Sequence, residues 1–453
     1  MKLAINGGPK VRENLFPDQN TYDEQELEAI KEVMKEGRLS GFRGNYCDEF
    51  YGGPQVQAFE EEFAEKFNVA FAIAVNSATS GLIVACGASG LNAGDETIVT
   101  PYSMTCSATA PMFYNSIPVF ADVEKDHFCL DPDSIEERIT DRTKVIIPVS
   151  LFGQPYDHIK INAIAKKHNL IVIEDAAQAP GAYYTGQEGW RQFAGTLGDM
   201  GVFSFNFGKH ITCGEGGMIV TNNEKLAMRC RLIRNHAEAV IHGMTGEPED
   251  FYSIAHKEYD LDNNMVGFNV RMTELDAAVM RVQLKKFDEL LMQRKHNVIE
   301  SDTIIHAISP ISPATTRKDC VHSFYALPYL WDEEYAEGIH RDTYINAVKA
   351  ELMPRATRDG EGVPIGCGYI TPLYLMPLFQ EEKHQCFNLT DILCGTTYLR
   401  DENYQAGSCP NCEKLWKDEL FLHLYHAPNS TKEDVKDVVH AFIKVWDHRE
   451  ELR

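Results

Sequence analysis

The sequence predicts an α/β protein. The expectation is a large domain with a mostly parallel central sheet flanked by helices, followed by a smaller C-terminal α+β domain. Three observations carry it. Seven short apolar runs without alternation fall between residues 70 and 221, as strands buried on both faces do. Helical patterns separate several of them, the mark of parallel crossovers. Beyond about residue 300 the order changes to strand, helix, a loop-rich stretch and a final helix.

The elements follow in order. An amphipathic helix is expected near Asp23 to Glu36, stopped by Gly37, and a second through Val56 to Phe63, where Phe59 and Phe63 share a face. The apolar runs are Ala70–Val75, Glu96–Thr100, Ile117–Asp122, Lys144–Val149, Leu170–Glu174, Gly201–Phe205 and Gly217–Thr221, with a helical pattern at Asp157–His168. A long helical pattern from Met272 to Arg294 leaves the large domain, which is taken as residues 1–295, with 296–453 as the small domain. There the reading gives strand-like Val321–Leu330, a helix at Arg341–Glu351, a loop-rich 354–411 and a helix at Lys432–Trp446. The polar segment 237–262 reads as an insertion or lid, and 381–408 reads similarly.

Composition narrows the function. The 453 residues hold 43 Lys+Arg against 67 Asp+Glu, a formal charge of −24, with 44% hydrophobic and 24% charged residues. That balance argues against nucleic acid as a partner and against a polybasic membrane contact. No run approaches the ~20 apolar residues of a membrane span. The opening Met1–Pro9 breaks at Gly7-Gly8-Pro9 before a signal-peptide core forms, so a cytoplasmic location is expected. The 12 cysteines are scattered apart from the pair Cys409 and Cys412, with Cys386 and Cys394 upstream. No second close pair completes a zinc spacing, so the reading is reduced thiols and no metal.

Three stretches carry chemistry. In Ser204 to Gly217 a strand end is followed by Lys209 and a Gly-rich turn; a lysine desolvated there is a competent amine nucleophile. In Leu170 to Ala179 a buried strand ends in Glu174 and Asp175, and a carboxylate facing a pyridinium nitrogen strengthens an electron sink. In Val75 to Leu82 a strand turns through small hydroxyl residues into a helix, whose first amides suit a phosphate. Each has an ordinary structural explanation alone: a solvated lysine, an Asp helix cap and Ser or Thr capping. In chain order within one sheet they are the set a pyridoxal 5′-phosphate enzyme needs.

Further motifs make the chain resemble the DegT/StrS family of sugar aminotransferases, which have the aspartate-aminotransferase fold. They are Gly7-Gly8-Pro9-Lys10-Val11, Gly37-Arg38-Leu39-Ser40, and Ser204-Phe205 through Lys209 to Gly214-Glu215-Gly216-Gly217. Gly267-Phe268-Asn269-Val270-Arg271-Met272 and Cys409-Pro410-Asn411-Cys412-Glu413 complete the likeness, which spans nearly the whole length. The resemblance implies pyridoxal 5′-phosphate as cofactor, bound to Lys209 as a Schiff base, with Lys209 also carrying the proton. It places Asp175 on the pyridine nitrogen and Gln178 near the ring hydroxyl. Ser204 and the backbone at Ala78 and Thr79 hold the phosphate. Asn269 reaches the phosphate of a neighbouring subunit, so a homodimer with shared sites is expected.

The ring-stacking position, aromatic in the family, falls at Cys106, with Tyr102 or Met104 as alternatives. His322, Tyr369 and Tyr374 are placed on the acceptor side, or else pack the domain interface. The stretches 186–197 and 237–262 are longer than in the family pattern. The resemblance implies glutamate as donor and a nucleotide-linked 4-keto-6-deoxy sugar as acceptor. A keto-inositol acceptor with glutamine as donor is the alternative. Two readings of other classes are a sugar dehydratase, in which His replaces the Schiff-base lysine, and a non-catalytic sensor or regulator; the intact Lys209, Asp175 and Ser204 argue against both.

Overall fold

The computed structural model describes residues 2–44, 47–186, 189–237, 265–380 and 404–453. Apart from their ends, the segments 237–262 and 381–408 lie outside the described residues, as do Cys386 and Cys394.

The seven apolar runs form one seven-stranded sheet. In chain order its strands begin with β1 (Phe71–Val75), β2 (Glu96–Val99), β3 (Ile117–Phe120), β4 (Thr143–Ile147) and β5 (Ile171–Asp175). The hairpin of β6 (Tyr183–Thr185) and β7 (Arg191–Phe193) intervenes, out of the sheet, before β8 (Met200–Ser204) and β9 (Gly217–Thr221). The spatial order is β1-β9-β8-β5-β4-β2-β3. All neighbours are parallel except the two pairings of β9. The strands are almost wholly buried, which explains why their sequences are apolar without alternation.

Helices cover the sheet, and local chemistry sets their limits. Asp23 and Glu26 make a reciprocal capping box on Glu24–Glu36, and Gly37 closes that helix at φ 74°. Asp157 caps His158–His168. The helix expected to end near Arg294 runs instead from Glu274 to Ile305. Its first half buries Ala277, Met280, Leu284 and Phe287 against the large sheet. Its second half buries Val298 and Ile305 in the core of the second sheet, so the apolar stripe sustains it. The expected division at 295/296 lies inside this helix.

The second sheet is antiparallel, with order β10-β12-β14-β13: β10 (Ile311–Pro313), β12 (Leu327–Trp331), β13 (Ile365–Cys367) and β14 (Leu420–His423). Helices Arg341–Glu351 and Lys432–Asp447 contribute to its core.

The continuous strand expected over Val321–Leu330 is divided. β11 (Cys320–Val321) pairs with β6, and the chain then turns at Phe324, φ 55°, before β12. Three backbone N–H groups in this turn are committed elsewhere. Ser323 donates to Gly153 O (2.9 Å), Phe324 to His322 Nδ1 (2.8 Å) and Tyr325 to Phe152 O (2.8 Å).

Cys409 to Glu413 has a structural role. The amides of Asn411 and Cys412 bind Asp122 Oδ2 and Oδ1 (2.8 and 3.0 Å), and Glu413 Oε1 accepts the Tyr374 hydroxyl (2.6 Å). Both cysteines are buried. No described helix is long and apolar enough to cross a membrane.

Candidate active site

Strand direction brings the three chemical stretches to one end of the sheet. Asp175 pairs in register with Val202 and Ser204 with Gly217, while Gly217 also pairs with Val75. The ends of β5, β8 and β1 and the start of β9 therefore meet. This is the carboxyl edge of the parallel strands, where folds of this kind bind ligands.

At β1 the chain enters helix Ala78–Ala88 through Ser77, whose Oγ accepts the Ser80 N–H (3.1 Å). The amides of Ala78 and Thr79 lie in the first turn and have no partner within the helix. Gly217 backs this turn closely. A Cβ there would stand 2.6 Å from Ser77 C and 2.7 Å from Ala78 N. The result is a cradle of N–H donors with Ser204 on the adjoining strand, suited to a phosphate.

Asp175 is 3% exposed. Burial pushes its pKa up, opposed by hydrogen bonds from Ser107 Oγ (2.7 Å) and the Ala177 N–H (3.1 Å) and by the charge of Lys209. A buried carboxylate with two donors and a nearby cation suits a protonated ring nitrogen.

Lys209 is half-buried in the turn after β8, its N–H on Asn206 O (2.9 Å) and its Nζ over the ring of Tyr325, 4.3 Å from the centroid. His210 beside it turns away. It is buried, and its Nε2 bonds Ser323 O (2.9 Å). Burial first, then the charge of Arg294, hold its pKa well below the usual histidine value, so the ring is neutral.

Cys106 is half-buried and within the influence of both Asp175 and Lys209. Burial and the Asp175 charge push its thiol up to about 11, so it is a neutral contact and no ready nucleophile. Tyr102 lies deeper, fully buried, and Met104 is exposed.

Gln178 spans two loops. Its Oε1 accepts the Phe152 N–H (2.9 Å) and its Nε2 donates to Tyr369 Oη (3.0 Å). Lys209, Asp175, Cys106, Gln178 and Tyr369 are thus near neighbours in one cluster.

The remaining expected residues make other contacts. Tyr374 is fully buried, its hydroxyl on Glu413. His322 is nearly buried, stacked on Phe324 at 4.4 Å. Asn269 is exposed, bridging Asn235. Sequence reasoning did not single out Ser107, Phe152 or Tyr325. Ser107 had a signal, as the neighbour of Cys106 in a run of small residues. Phe152 and Tyr325 had none, because tertiary packing places them.

Comparison with known proteins agrees with this geometry. The profile of the DegT/DnrJ/EryC1/StrS aminotransferase family matches residues 21–397. The spore coat polysaccharide biosynthesis protein SpsC of Bacillus subtilis is 30% identical, over 92% of this chain and 93% of that protein. The L-glutamine:2-deoxy-scyllo-inosose aminotransferase of Streptomyces kanamyceticus is 28% identical, over 99% of this chain and 97% of that protein. The structure of DesI in the presence of its TDP-sugar product superposes with a TM-score of 0.76 at 25% identity, covering 99% of this chain and 97% of that one.

Proposed function

Because the chain belongs to the DegT/DnrJ/EryC1/StrS aminotransferase family, whose cofactor is pyridoxal 5′-phosphate, we propose that it moves an amino group from an amino acid to a ring ketone of a sugar or cyclitol. The observation that carries the reading is the meeting of Lys209, buried Asp175 and the Ala78–Thr79 cradle at one sheet edge.

When bound, the cofactor supplies an electron sink that stabilises a carbanion at the donor α-carbon. The chain's residues do the rest. Lys209 would hold the cofactor through its amine and would be the general acid and base for the proton at the donor α-carbon. Asp175 would keep the ring nitrogen protonated. Ser204 and the amides of Ala78 and Thr79 would hold the phosphate, with Gln178 serving the ring hydroxyl and Cys106 the ring. Asn269, exposed beside Asn235, would serve the phosphate of a second copy, so the proposed working unit is a homodimer. Mixing Asn269→Ala with Lys209→Ala subunits tests this through recovery of activity.

For the acceptor, the first reading is a nucleotide-linked 4-keto-6-deoxy sugar with glutamate as donor, a route toward amino sugars. The DesI structure with its TDP-sugar product supports it. A keto-inositol acceptor with glutamine as donor is the second reading, favoured by the Streptomyces kanamyceticus relative, similar over nearly the whole length. The dehydratase reading needs His in place of Lys209, and the neighbouring His210 is committed to the Ser323 carbonyl.

The test is the visible spectrum of the holoenzyme. A yellow band that bleaches with glutamate or glutamine establishes the donor, and Lys209→Ala abolishes transamination while the protein stays folded. Turnover by the Lys209→Ala variant would sink the mechanism.

A further inference from the structure

The orientation of the Gln178 amide is fixed by its neighbours. Phe152 presents a backbone N–H, which only the Oε1 end can accept, at 2.9 Å. The Nε2 end therefore points the other way, where one of its two N–H groups meets Tyr369 Oη at 3.0 Å. The second N–H of Nε2 remains for an acceptor on a bound group.

Tyr369 reaches Gln178 from the other sheet, two residues past β13. Its backbone stands at φ 39°, directly after Gly368 at φ 63°. Left-handed backbone is costly for an aromatic residue and persists where the surroundings impose it. Here they do. A Cβ on Gly368 would lie 2.1 Å from Trp416 O, and the Gly368 N–H is tied to Leu420 O at 2.7 Å. The ring is wedged edge-on against Phe152 (5.0 Å, 79°) and Tyr102 (5.7 Å, 89°). With the ring set by packing and the backbone set by Gly368, the hydroxyl has a fixed address. It also lies within the electrostatic influence of Asp175 and Cys106.

We propose that Tyr369 is a positioning residue for the cofactor: its hydroxyl holds the Gln178 amide so that the second Nε2–H faces the ring hydroxyl oxygen of pyridoxal phosphate. This rests on the assignment of Gln178 to that oxygen. A donor held on that oxygen favours its ionised form. The role differs from lining the acceptor pocket, because it acts before any acceptor arrives. It also differs from packing, because it needs the hydroxyl and not the ring.

Four proteins decide it: wild type, Tyr369→Phe, Gln178→Ala and the double variant. Tyr369→Phe keeps the ring and its packing. Two quantities are read, the dissociation constant of pyridoxal phosphate from each apoenzyme and the pH midpoint of the visible band of the bound cofactor. Tyr369→Phe is expected to weaken cofactor binding about five- to tenfold, the effect of one hydrogen bond, and to move the midpoint to higher pH. In the Gln178→Ala background it should add nothing. If Gln178→Ala leaves both readouts unchanged, the assignment of Gln178 itself fails. If Gln178→Ala changes them and Tyr369→Phe does not, or the two effects add, the positioning role is overturned. An effect of Tyr369→Phe confined to the acceptor KM would place the hydroxyl on the acceptor instead.

Discussion

Ser107 Oγ donates a 2.7 Å hydrogen bond to Asp175 Oδ2 in a region closed to solvent. Burial alone drives the Asp175 carboxyl toward its protonated form, and Ser107 is first among the groups that oppose it. The neutral acid cannot hold a positive ring nitrogen, so the hydroxyl keeps Asp175 fit for its proposed role.

Ser107→Ala should therefore raise the Asp175 pKa further. The acid limb of the rate–pH profile is expected to move to higher pH, with a loss of about tenfold in kcat below neutrality. Steady-state rates across pH on the saturated holoenzyme check this. An unchanged acid limb with unchanged rate would separate Asp175 from the cofactor.

Gly217→Ala tests the cradle. The added methyl would press on Ser77 and Ala78 backbone atoms at 2.6–2.8 Å, and backbone cannot step aside as a side chain does. The first turn of helix Ala78–Ala88 must shift, displacing the two amides proposed to face the phosphate. Pyridoxal phosphate affinity is expected to fall more than tenfold, measured by titrating the apoenzyme, with circular dichroism reporting whether the fold survives.

Much of this was legible because it is written locally. Buried strands announce themselves as apolar runs, and all seven expected runs lie in the large sheet. Asp23 and Gly37, or Asp157, mark helix ends through hydrogen bonds made within a few residues. Asp175 ends a strand, and Lys209 and the Ser77 turn come within a few residues of strand ends, so strand order brings them together. What stayed hidden depends on distant partners. The break in Val321–Leu330 arises because Phe152 and Gly153 take up its N–H groups. The long helix continues past Arg294 because a second core lies beneath Val298 and Ile305. The partner of Tyr374 was hidden in the same way: its hydroxyl goes to Glu413, 39 positions on.

Glu174 carries a stability prediction. It is fully buried, and burial pushes its pKa from 4.5 up to about 7, against hydrogen bonds from Ser150 Oγ (2.6 Å) and the Leu197 N–H (3.2 Å). A carboxyl whose folded pKa is raised binds more protons folded than unfolded between those values. Its contribution is full below about 4.5 and is lost as pH rises through about 7. Glu174→Gln keeps an acceptor for Leu197 and a donor for Ser150 and does not titrate. Urea unfolding of the apoprotein at pH 5 and pH 8 should show wild type losing about 2.5 kcal/mol more than the variant.

His322 pulls the opposite way. Burial first, then the charge of Lys295, depress its pKa to about 3, and its Nδ1 accepts the Phe324 N–H at 2.8 Å. That acceptor must stay unprotonated for the turn at Phe324 to hold its shape, and the turn places Tyr325 over Lys209. A histidine with a lowered folded pKa contributes stability above about 6.5 that is lost as pH falls toward 3. His322→Asn keeps a side-chain acceptor without the titration. Between pH 6.5 and pH 4.5 wild type should lose about 2 kcal/mol that the variant retains, read by urea unfolding of the apoprotein. The same variant tests the acceptor-side expectation for this residue. If His322 serves only the turn, acceptor KM in the holoenzyme stays within about twofold of wild type. A KM raised tenfold or more, with the acid stability unchanged, would place the ring on the acceptor.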